Sequence, residues 1–528
     1  MVHYEKTPGR RWIDARIEVE VDVCGKSGGG SVNGWQSWLV SFNTDRIKQY
    51  LFATNRLKEI RGGSALLLEL DEQREGLIKQ VVPDAKVIYS GGGGAAALVR
   101  AEEQAKQLTA HITHQFRAVT ITASITGISL APEPANGYKF GERMDQAGKR
   151  LRQAKAAKAE LTTLPVEPYL RLCQSCGQHP VVTPPTGQSE EWLCASCTKK
   201  REKGDRSELY DKFRKYVEES TGKDHPWTKE TLPRDLDGIS EVSYPPNYIG
   251  FIALDGNHIG DLSSKPATVQ EYRLFSEGLR DLTKHQTFSA LERFGRPRGG
   301  ITPFEIVLIG GDDVLLITAA DVAVEIALAI IDGFEKDAQG KVLKKAGLTM
   351  AGGVVLAHAD FPIPAMHSLA EALQRSAKKL CATQGYKTGA IDFLVVSGSD
   401  TDLEEMRRAI PHRRPYTLRD MRTLLDYIRR FKSNNFPMSQ LQNMYQALFE
   451  GEVNAQMASI ATLGYLGQRE GKRKLYDLLR SFFKEFGVKF DGQLPPWDAE
   501  IGERDGHRVS ALTDLAELYP FIQGERGA

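Results

Sequence analysis

Two adjacent carboxylates stand on a short turn between two apolar segments. Residues 304–318 read Phe-Glu-Ile-Val-Leu-Ile-Gly-Gly-Asp-Asp-Val-Leu-Leu-Ile-Thr, so Asp312 and Asp313 directly follow Gly310 and Gly311. Neighbouring like charges are unfavourable unless a cation neutralises them, and hard oxygen ligands suit magnesium or manganese. Glycine and aspartate are also favoured turn residues, so an ordinary hairpin is the alternative interpretation. The turn alone does not decide between a metal site and a plain hairpin.

A third carboxylate ends another apolar segment upstream. Residues 248–254 read Tyr-Ile-Gly-Phe-Ile-Ala-Leu and are followed by Asp255. If this strand pairs beside the hairpin, Asp255 lies next to Asp312 and Asp313. Three carboxylates in a partly dry site repel one another strongly, which predicts bound metal. Polymerase-type sites use such a cluster to hold two metal ions about 3.5–4 Å apart.

The predicted elements around these acids follow a fixed order. They are a strand at 247–255, a helix at 267–294, the hairpin at 304–318, a helix at 320–337, a strand at 347–356, a helix at 363–383 and a strand at 389–396. A βαββαβ order with one extra strand predicts a ferredoxin-like α+β layout. This is the layout of the palm of nucleotide polymerases and nucleotidyl cyclases.

The first part of the chain repeats the same order without the acids. Its predicted elements are a strand at 35–42, a helical stretch at 43–67 interrupted by Gly62-Gly63, a strand at 85–90, a turn at Gly91–Gly94, a helix at 101–115 and a strand at 118–124. This is interpreted as a degenerate internal duplicate. Glycines replace the carboxylates, so this half cannot hold the metals, but its turn lets the backbone approach a ligand closely.

Two Cys-x-x-Cys pairs lie between the halves. The four cysteines are Cys173, Cys176, Cys194 and Cys197. Their spacing predicts one structural zinc ion held by four thiolates, with no open position for chemistry. Disulfides are the alternative, but six cysteines in 528 residues are too sparse for a disulfide scaffold. Cys24 and Cys381 are interpreted as small buried apolar residues.

With these motifs in view, the chain resembles the large palm-domain subunit, the CRISPR polymerase, of type III CRISPR–Cas complexes of the Cmr type. That palm is related to the GGDEF diguanylate cyclases. The resemblance implies that Asp255, Asp312 and Asp313 are the catalytic metal ligands. The helix around residues 369–379 resembles the cyclase-type helix, which implies that Lys378, with Lys379, binds triphosphate oxygens.

One residue departs from the family pattern. The family usually carries a second acid two residues after the first, where this chain has Asn257. The backbone carbonyl of Gly256 is expected to supply the missing ligand. The segment from Phe42 through Leu67 resembles the first, non-catalytic palm of the same subunit. The residues expected to contact nucleotide are Gly310, Gly311, Gly256, Asn257, Lys378, Lys379, Gly62, Ser64 and Gly92.

The resemblance implies the synthesis of cyclic oligoadenylate from ATP with two magnesium or manganese ions. The expected partners are other CRISPR effector subunits with CRISPR RNA and target RNA, the latter switching the cyclase on. A second hypothesis is a related nucleotidyltransferase that needs no guide RNA, or uses another acceptor such as S-adenosylmethionine. A third is a non-catalytic nucleotide-binding scaffold. The chain is expected to be a monomer within a hetero-complex, or a homo-oligomer if it acts alone.

Four domains are predicted: a degenerate palm at 1–163, a zinc ribbon and charged connector at 164–245, the catalytic palm at 246–400 and a helical domain at 401–528. The helical domain either packs against small helical subunits and RNA, as in the family, or caps the palm. Many family members begin with a metal-dependent HD nuclease domain. With the first palm starting near residue 14 and no His-Asp dipeptide, we expect that domain and its DNase activity to be lacking. His111 and His114 are expected on a helix surface.

Composition predicts a soluble, multidomain cytoplasmic protein. The formal net charge is only +1, so the chain is not globally basic, although basic residues cluster at 148–158, 199–203, 407–414, 429–432 and 469–474. Each cluster is more often a solvated helix face than a nucleic-acid contact. The N-terminus lacks the apolar core of a secretory signal. No apolar run is long enough to span a membrane, so no membrane insertion is expected.

Overall fold

The computed structural model describes most of the chain in eleven stretches. These are residues 36–134, 137–158, 169–182, 191–222, 224–337, 347–398, 402–408, 411–469, 471–490, 495–504 and 507–524. The chain folds into two compact units. The first consists of Met1–Leu236, Gly256–Leu316 and Gly333–Leu348; the second of Asp237–Asp255, Ile317–Asp332 and Thr349–Ala528. The expected first-palm start near residue 14 and Cys24 lie outside the described residues.

The first unit contains a four-stranded sheet. Its elements are β1 (Trp38–Asp45), α1 (Ile47–Leu51), α2 (Leu57–Val81), β2 (Lys86–Gly91), β3 (Gly94–Val99), α3 (Glu102–Thr120), β4 (Ser124–Leu130) and α4 (Phe140–Ala157). The strand order β2-β3-β1-β4, with β1 antiparallel to both β3 and β4, is the ferredoxin-like order predicted from the sequence. Neighbouring Leu39 and Val40 of β1 are both fully buried, so both faces of the sheet are covered.

Two details of the first palm differ from the prediction. Gly62-Gly63 do not interrupt a helix but lie inside the continuous helix α2. The strand expected at 118–124 begins only at Ser124, because α3 continues to Thr120. Phe116 and Thr120 are buried one helical turn apart, so the helical period carries the apolar face of α3 through the region predicted as strand.

The second sheet has six strands in the order β10-β9-β8-β5-β7-β6. The elements along this part of the chain are α7 (Leu236–Glu241), β5 (Tyr248–Gly256), α8 (Ile259–Ser263), α9 (Val269–Phe294), β6 (Phe304–Gly310), β7 (Asp313–Ala319), α10 (Ala320–Lys336), β8 (Met350–His358), α11 (Ile363–Thr383), β9 (Ala390–Val395), α12 (Leu403–Arg408) and β10 (Tyr416–Thr417). β5 lies beside β7 in this order, as the sequence predicts for the strand that ends at Asp255. The extra strand β9 pairs parallel to β8.

Two helices begin within and after the second cysteine pair. These are α5 (Ala195–Lys203) and α6 (Glu208–Thr221). Cys194 caps α5, its Sγ accepting from the backbone N–H of Cys197 at 3.5 Å. Ser207 caps α6 in the same way, and it also donates to Glu305 at 3.2 Å. The carboxylate of Glu305 forms a buried ion pair with Arg61 of α2.

The last part of the chain is helical, as predicted. It contains α13 (Leu418–Ser433), α14 (Met438–Ala447), α15 (Glu452–Gln468), α16 (Arg473–Glu485), the short strands β11 (Glu503–Arg504) and β12 (His507–Arg508), and α17 (Ala511–Leu518). Thr417 caps α13, its side chain accepting a hydrogen bond from the backbone N–H of Asp420. Cys381 is buried, as expected.

The mixed α+β class with two sheets, a palm and a helical C-terminal region is therefore confirmed. The four domain boundaries remain predictions. Within the described residues, every helix is too short or too polar to cross a membrane.

Candidate active site at two facing turns

The turn between β6 and β7 carries the two adjacent carboxylates. β6 ends at Gly310 and β7 begins at Asp313. Gly311 has φ +63°, a left-handed conformation that glycine adopts without steric cost. The predicted hairpin is therefore present, and Gly311 is the residue that allows it to turn so tightly.

Asp312 is in an environment that disfavours its negative charge. Burial raises the pKa of Asp312 to about 7, and the neighbouring charge of Asp313 contributes in the same direction. A hydrogen bond from the backbone N–H of Gly256 opposes this shift in part. A Cβ on Gly256 would lie 2.9 Å from Asp312, so this position has no room for a side chain. A bound cation would relieve the repulsion, so Asp312 and Asp313 fit a metal site.

A lysine from the first palm reaches the same turn. Lys48 of α1 lies with its Nζ 3.9 Å from Oδ1 of Asp313, and its charge also lowers the pKa of Asp312. α1 begins after Arg46, whose φ of 48° and ψ of 44° are left-handed. Sequence reasoning missed Lys48, because no local pattern connects it with a turn so distant along the chain.

The glycine turn of the first palm touches the acidic turn. Gly92 has φ +62°, and a Cβ built on it would lie 3.2 Å from the backbone nitrogen of Gly311. A Cβ on Gly310 would lie 3.0 Å from the Cα of Gly92. The two turns therefore lie against each other. Neither contact leaves space for a side chain without displacing backbone.

Buried polar groups hold the glycine turn in place. Asp71 of α2 accepts from the N–H of Gly93 at 2.9 Å, and Thr44 donates through Oγ1 to the carbonyl of Gly93 at 2.7 Å. Arg74 pairs with Asp71 at 2.5 Å and donates to the carbonyl of Gly94 at 2.8 Å. Burial raises the pKa of Asp71. These residues were not predicted from the sequence either, since a charged residue on a helix is usually exposed to solvent.

Asp255 and Lys378 form an ion pair in the second unit. Lys378, on α11, donates through Nζ to Oδ2 of Asp255 at the end of β5. The predicted triphosphate lysine therefore lies beside a predicted metal ligand. Lys379 is exposed on the same helix. Asn257, the departure from the family pattern, is almost fully buried.

Gly62 and Ser64 make other contacts within α2. A Cβ on Gly62 would lie 1.7 Å from the carbonyl oxygen of Lys200 in α5, so Gly62 is required for helix packing. The Oγ of Ser64 donates to the carbonyl of Val307 in β6 at 2.6 Å. The predicted interruption of the helix at Gly62 is wrong, because α2 runs continuously from Leu57 to Val81. Their role in nucleotide binding stays a prediction.

The two expected surface histidines lie on α3. His114 is exposed, whereas His111 is half-buried.

The four cysteines form a second candidate metal centre. One sulfur from each of Cys173, Cys176, Cys194 and Cys197 lies within 4.8 Å of the others, and three of the four residues are buried. Hydrogen bonds from Cys194 and Cys197 lower the pKa of the Cys176 thiol, while the pKa of Cys194 is raised to about 12. Thiols that share protons in this way have the chemistry and proximity to ligate zinc. The cluster can hold a zinc ion.

A protein-family comparison identifies the second palm. Residues 248–384 match the family model described as Cas10/Cmr2, second palm domain. This match contains β5, the acidic turn and Lys378. No match was found among curated proteins.

Solved structures with the same fold extend over most of the chain. The Csm1–Csm4 cassette in complex with cA3 has a TM-score of 0.58 at 14% identity, covering 94% of this chain and 72% of the other. The cassette with one ATP gives the same four values. Csm1 of T. onnurineus has a TM-score of 0.57 at 13% identity, covering 92% of this chain and 70% of its own.

Together these findings define the class of the protein: a two-palm chain with the fold of Csm1. The match of residues 248–384 to the Cas10/Cmr2 second palm domain agrees with the resemblance in the sequence.

Proposed function

We propose that the chain is a nucleotidyltransferase that makes cyclic oligoadenylates from ATP, as the large subunit of a type III CRISPR complex activated by target RNA. The observation that carries this proposal is the paired Asp312 and Asp313 on a turn that touches the glycine turn of the first palm. Similar cassettes of Csm1 and Csm4 bind ATP, pppApA, cA3 and cA4. The presence of retained acids on a matched palm favours the same chemistry here.

In this proposal Asp255, Asp312 and Asp313 hold two magnesium or manganese ions. Such ions activate the attacking 3′-hydroxyl and stabilise charge on departing pyrophosphate. The chain's own residues supply positioning: Lys378 binds triphosphate oxygens, and the narrow space between Gly92 and Gly310 keeps two nucleotides in line. The carbonyl of Gly256 adds an oxygen ligand, since Asn257 replaces the usual acid.

Lys378 has a further consequence in this scheme. Without metal, Lys378 neutralises the carboxylate of Asp255, so this metal ligand is paired with a cation. When cations bind Asp255, the lysine becomes available for the triphosphate. The zinc ion in the four-cysteine cluster has a structural role, because four thiolates leave no position for substrate.

The scaffold hypothesis is disfavoured by one observation. Asp312 has a raised pKa because its charge is desolvated beside Asp313, and retaining both acids costs stability unless a cation binds there. A guide-independent transferase of the same palm remains the second hypothesis, distinguished by its activator and acceptor rather than by these residues.

The decisive test is product formation from ATP with magnesium or manganese. Replacing both Asp312 and Asp313 by alanine should abolish polymerisation, whereas Asp360→Asn, an exposed acid in the loop after β8, should leave it intact. Assembly with partner subunits, CRISPR RNA and target RNA should increase the wild-type rate. Full turnover by the double variant would refute the catalytic assignment, and RNA-independent synthesis would favour the second hypothesis.

A further inference from the structure

The two palms share a local geometry that extends beyond their turns. β1 and β5 are each followed by a residue in the left-handed conformation, Arg46 with φ 48° and His258 with φ 44°. Each of these residues precedes a five-residue helix. Counting back equally from both makes Asn43 the counterpart of Asp255. The end of the first strand therefore has the same backbone course in both palms.

The hairpin turns can be matched in the same way. β2 ends at Gly91 as β6 ends at Gly310, and β3 begins at Gly94 as β7 begins at Asp313. Gly93 thus occupies the position of Asp312. All three carboxylate positions of the second palm are neutral in the first.

One charged residue of the site is retained in the first palm. Lys155 lies as many residues after Phe140, the first residue of α4, as Lys378 lies after Ile363, the first residue of α11. Lys378 donates to Asp255, and Lys155 donates to the side-chain oxygen of Asn43, the matched position. The first palm has therefore lost the metal ligands and kept the lysine.

The surroundings of Lys155 leave it available to an anion. Its Nζ also donates to the carbonyl of Thr44 at 2.6 Å and lies 3.5 Å from Asp45, while 28% of its side chain is exposed. The carboxylate of Asp45 also forms an ion pair with Lys158 at 2.6 Å and accepts hydrogen bonds from the hydroxyls of Ser124 and Thr126. If Lys155 moved from Asp45 to another anion, the carboxylate of Asp45 would keep these three partners.

A second cation lies at the glycine turn. Arg280 of α9 has its Cδ 3.7 Å from a Cβ built on Gly91. The other acid of this corner, Asp71, is paired with Arg74. At the glycine turn a cation therefore lies where the acidic turn has carboxylates.

We propose that Lys155 binds the triphosphate of the acceptor nucleotide in the first palm, and that it does so without a metal ion. This inference rests on the proposed function for the identity of the nucleotide. It assigns the chain a preference for acceptors that carry a 5′-triphosphate. A lysine ammonium interacts with phosphate as a point charge, so the contact does not require the carboxylates that the first palm lacks.

Metal-free binding of ATP to the full chain in EDTA tests the proposal without turnover. Isothermal titration should show that Lys155→Gln weakens ATP binding by about tenfold, the loss of one charge-assisted hydrogen bond, while Lys155→Arg retains most of it. Lys158→Gln is the matched control, because Lys158 directly follows the same helix and contacts the same Asp45. Adenosine, which has no phosphate, should bind equally to all four proteins.

Acceptor choice gives a second measurement. The assay contains metal and uses ATP as the donor. The wild type should extend acceptors that carry a 5′-triphosphate in preference to the same acceptors with a 5′-hydroxyl. Lys155→Gln should lose that preference. Equal effects of the Lys155 and Lys158 variants, or unchanged ATP binding in Lys155→Gln, would overturn the proposal. A wild type that binds ATP in EDTA but makes no product would instead overturn the proposed function alone.

Discussion

The turn between β2 and β3 meets the turn between β6 and β7. The two turns differ in charge, but they have the same length and a matching left-handed glycine, Gly92 with φ +62° and Gly311 with φ +63°. The first reads Gly91–Gly94 and is held by hydrogen bonds and an ion pair from α2. The second reads Gly-Gly-Asp-Asp and contains a carboxylate whose pKa is raised to about 7. One turn is stabilised by its neighbours within the chain, while the other is left with repulsion that a ligand must relieve. A duplicated fold can thus divide rigidity and chemistry between its copies.

The contact between the turns gives the largest expected effect. Gly92→Leu should lower product formation by at least about 100-fold, because the side chain would displace the backbone of Gly310 and Gly311. Binding of one ATP at the acidic turn should change much less. Gly300→Leu is the control, since Gly300 has φ +79° and open space around it. If both variants lose activity equally, backbone strain rather than the contact is responsible.

The cysteine cluster should support the first turn indirectly. Lys200 of α5 donates to the carbonyl of Tyr50 and packs against Gly62 of α2, the helix that holds the glycine turn. Purified protein should contain about one zinc per chain. Cys173→Ser should lower the free energy of unfolding by more than about 4 kcal/mol.

Thermal unfolding and metal analysis check this expectation. Cys381→Ala, a buried cysteine outside the cluster, should cost less and leave the zinc content unchanged. Absence of zinc, together with four freely titratable thiols in the native protein, would refute the metal site.

The buried support of the glycine turn is the next test. Arg74→Met should cost about 3 kcal/mol, because it leaves the carboxylate of Asp71 buried without its cation. Adding Asp71→Asn should recover part of that loss by removing the stranded charge. Chemical denaturation of the two variants measures both values. An additive double variant would show that Asp71 and Arg74 act separately.

The smallest effect concerns the acidic turn without metal. Asp312→Asn in EDTA should raise the free energy of unfolding by on the order of 2 kcal/mol at pH 8. The folded pKa of Asp312 lies above its unfolded value, so the wild type binds the proton more tightly when folded and loses stability as pH rises from 4 to about 7. The gain should therefore be smaller at pH 5. A gain independent of pH would mean that the charge of Asp312 is not the cause.

Local patterns in the sequence predict what is local in the structure. The Gly-Gly-Asp-Asp hairpin and the cysteine cluster follow from residue types and short spacings, whereas Lys378 was indicated by the resemblance of its helix to the cyclase-type helix. β5 beside β7 follows from the order of elements. The predicted helix break at Gly62 was wrong. Glycine is required at this position because α2 contacts the backbone of Lys200 in α5, and helix propensity does not determine the residue there.

Contacts between distant residues could not be predicted in this way. Lys48 reaches Asp313, and Asp71 supports Gly93, through tertiary packing that no single segment encodes. Lys155 is different, since it occupies the same position in α4 as Lys378 does in α11, and this equivalence can be seen once the two helices are aligned at their first residues.

The bare backbone contact between α2 and α5 limits how the molecule can be rearranged. A Cβ on Gly204 would lie 1.9 Å from the carbonyl of Lys58, the reciprocal of the contact between Gly62 and Lys200. Each helix is therefore shaped to the other, and grafting the cysteine module from a relative would fail unless α2 were transferred with it. Evolution must exchange these two helices as one inherited block, although three strands of the first sheet separate them in the sequence.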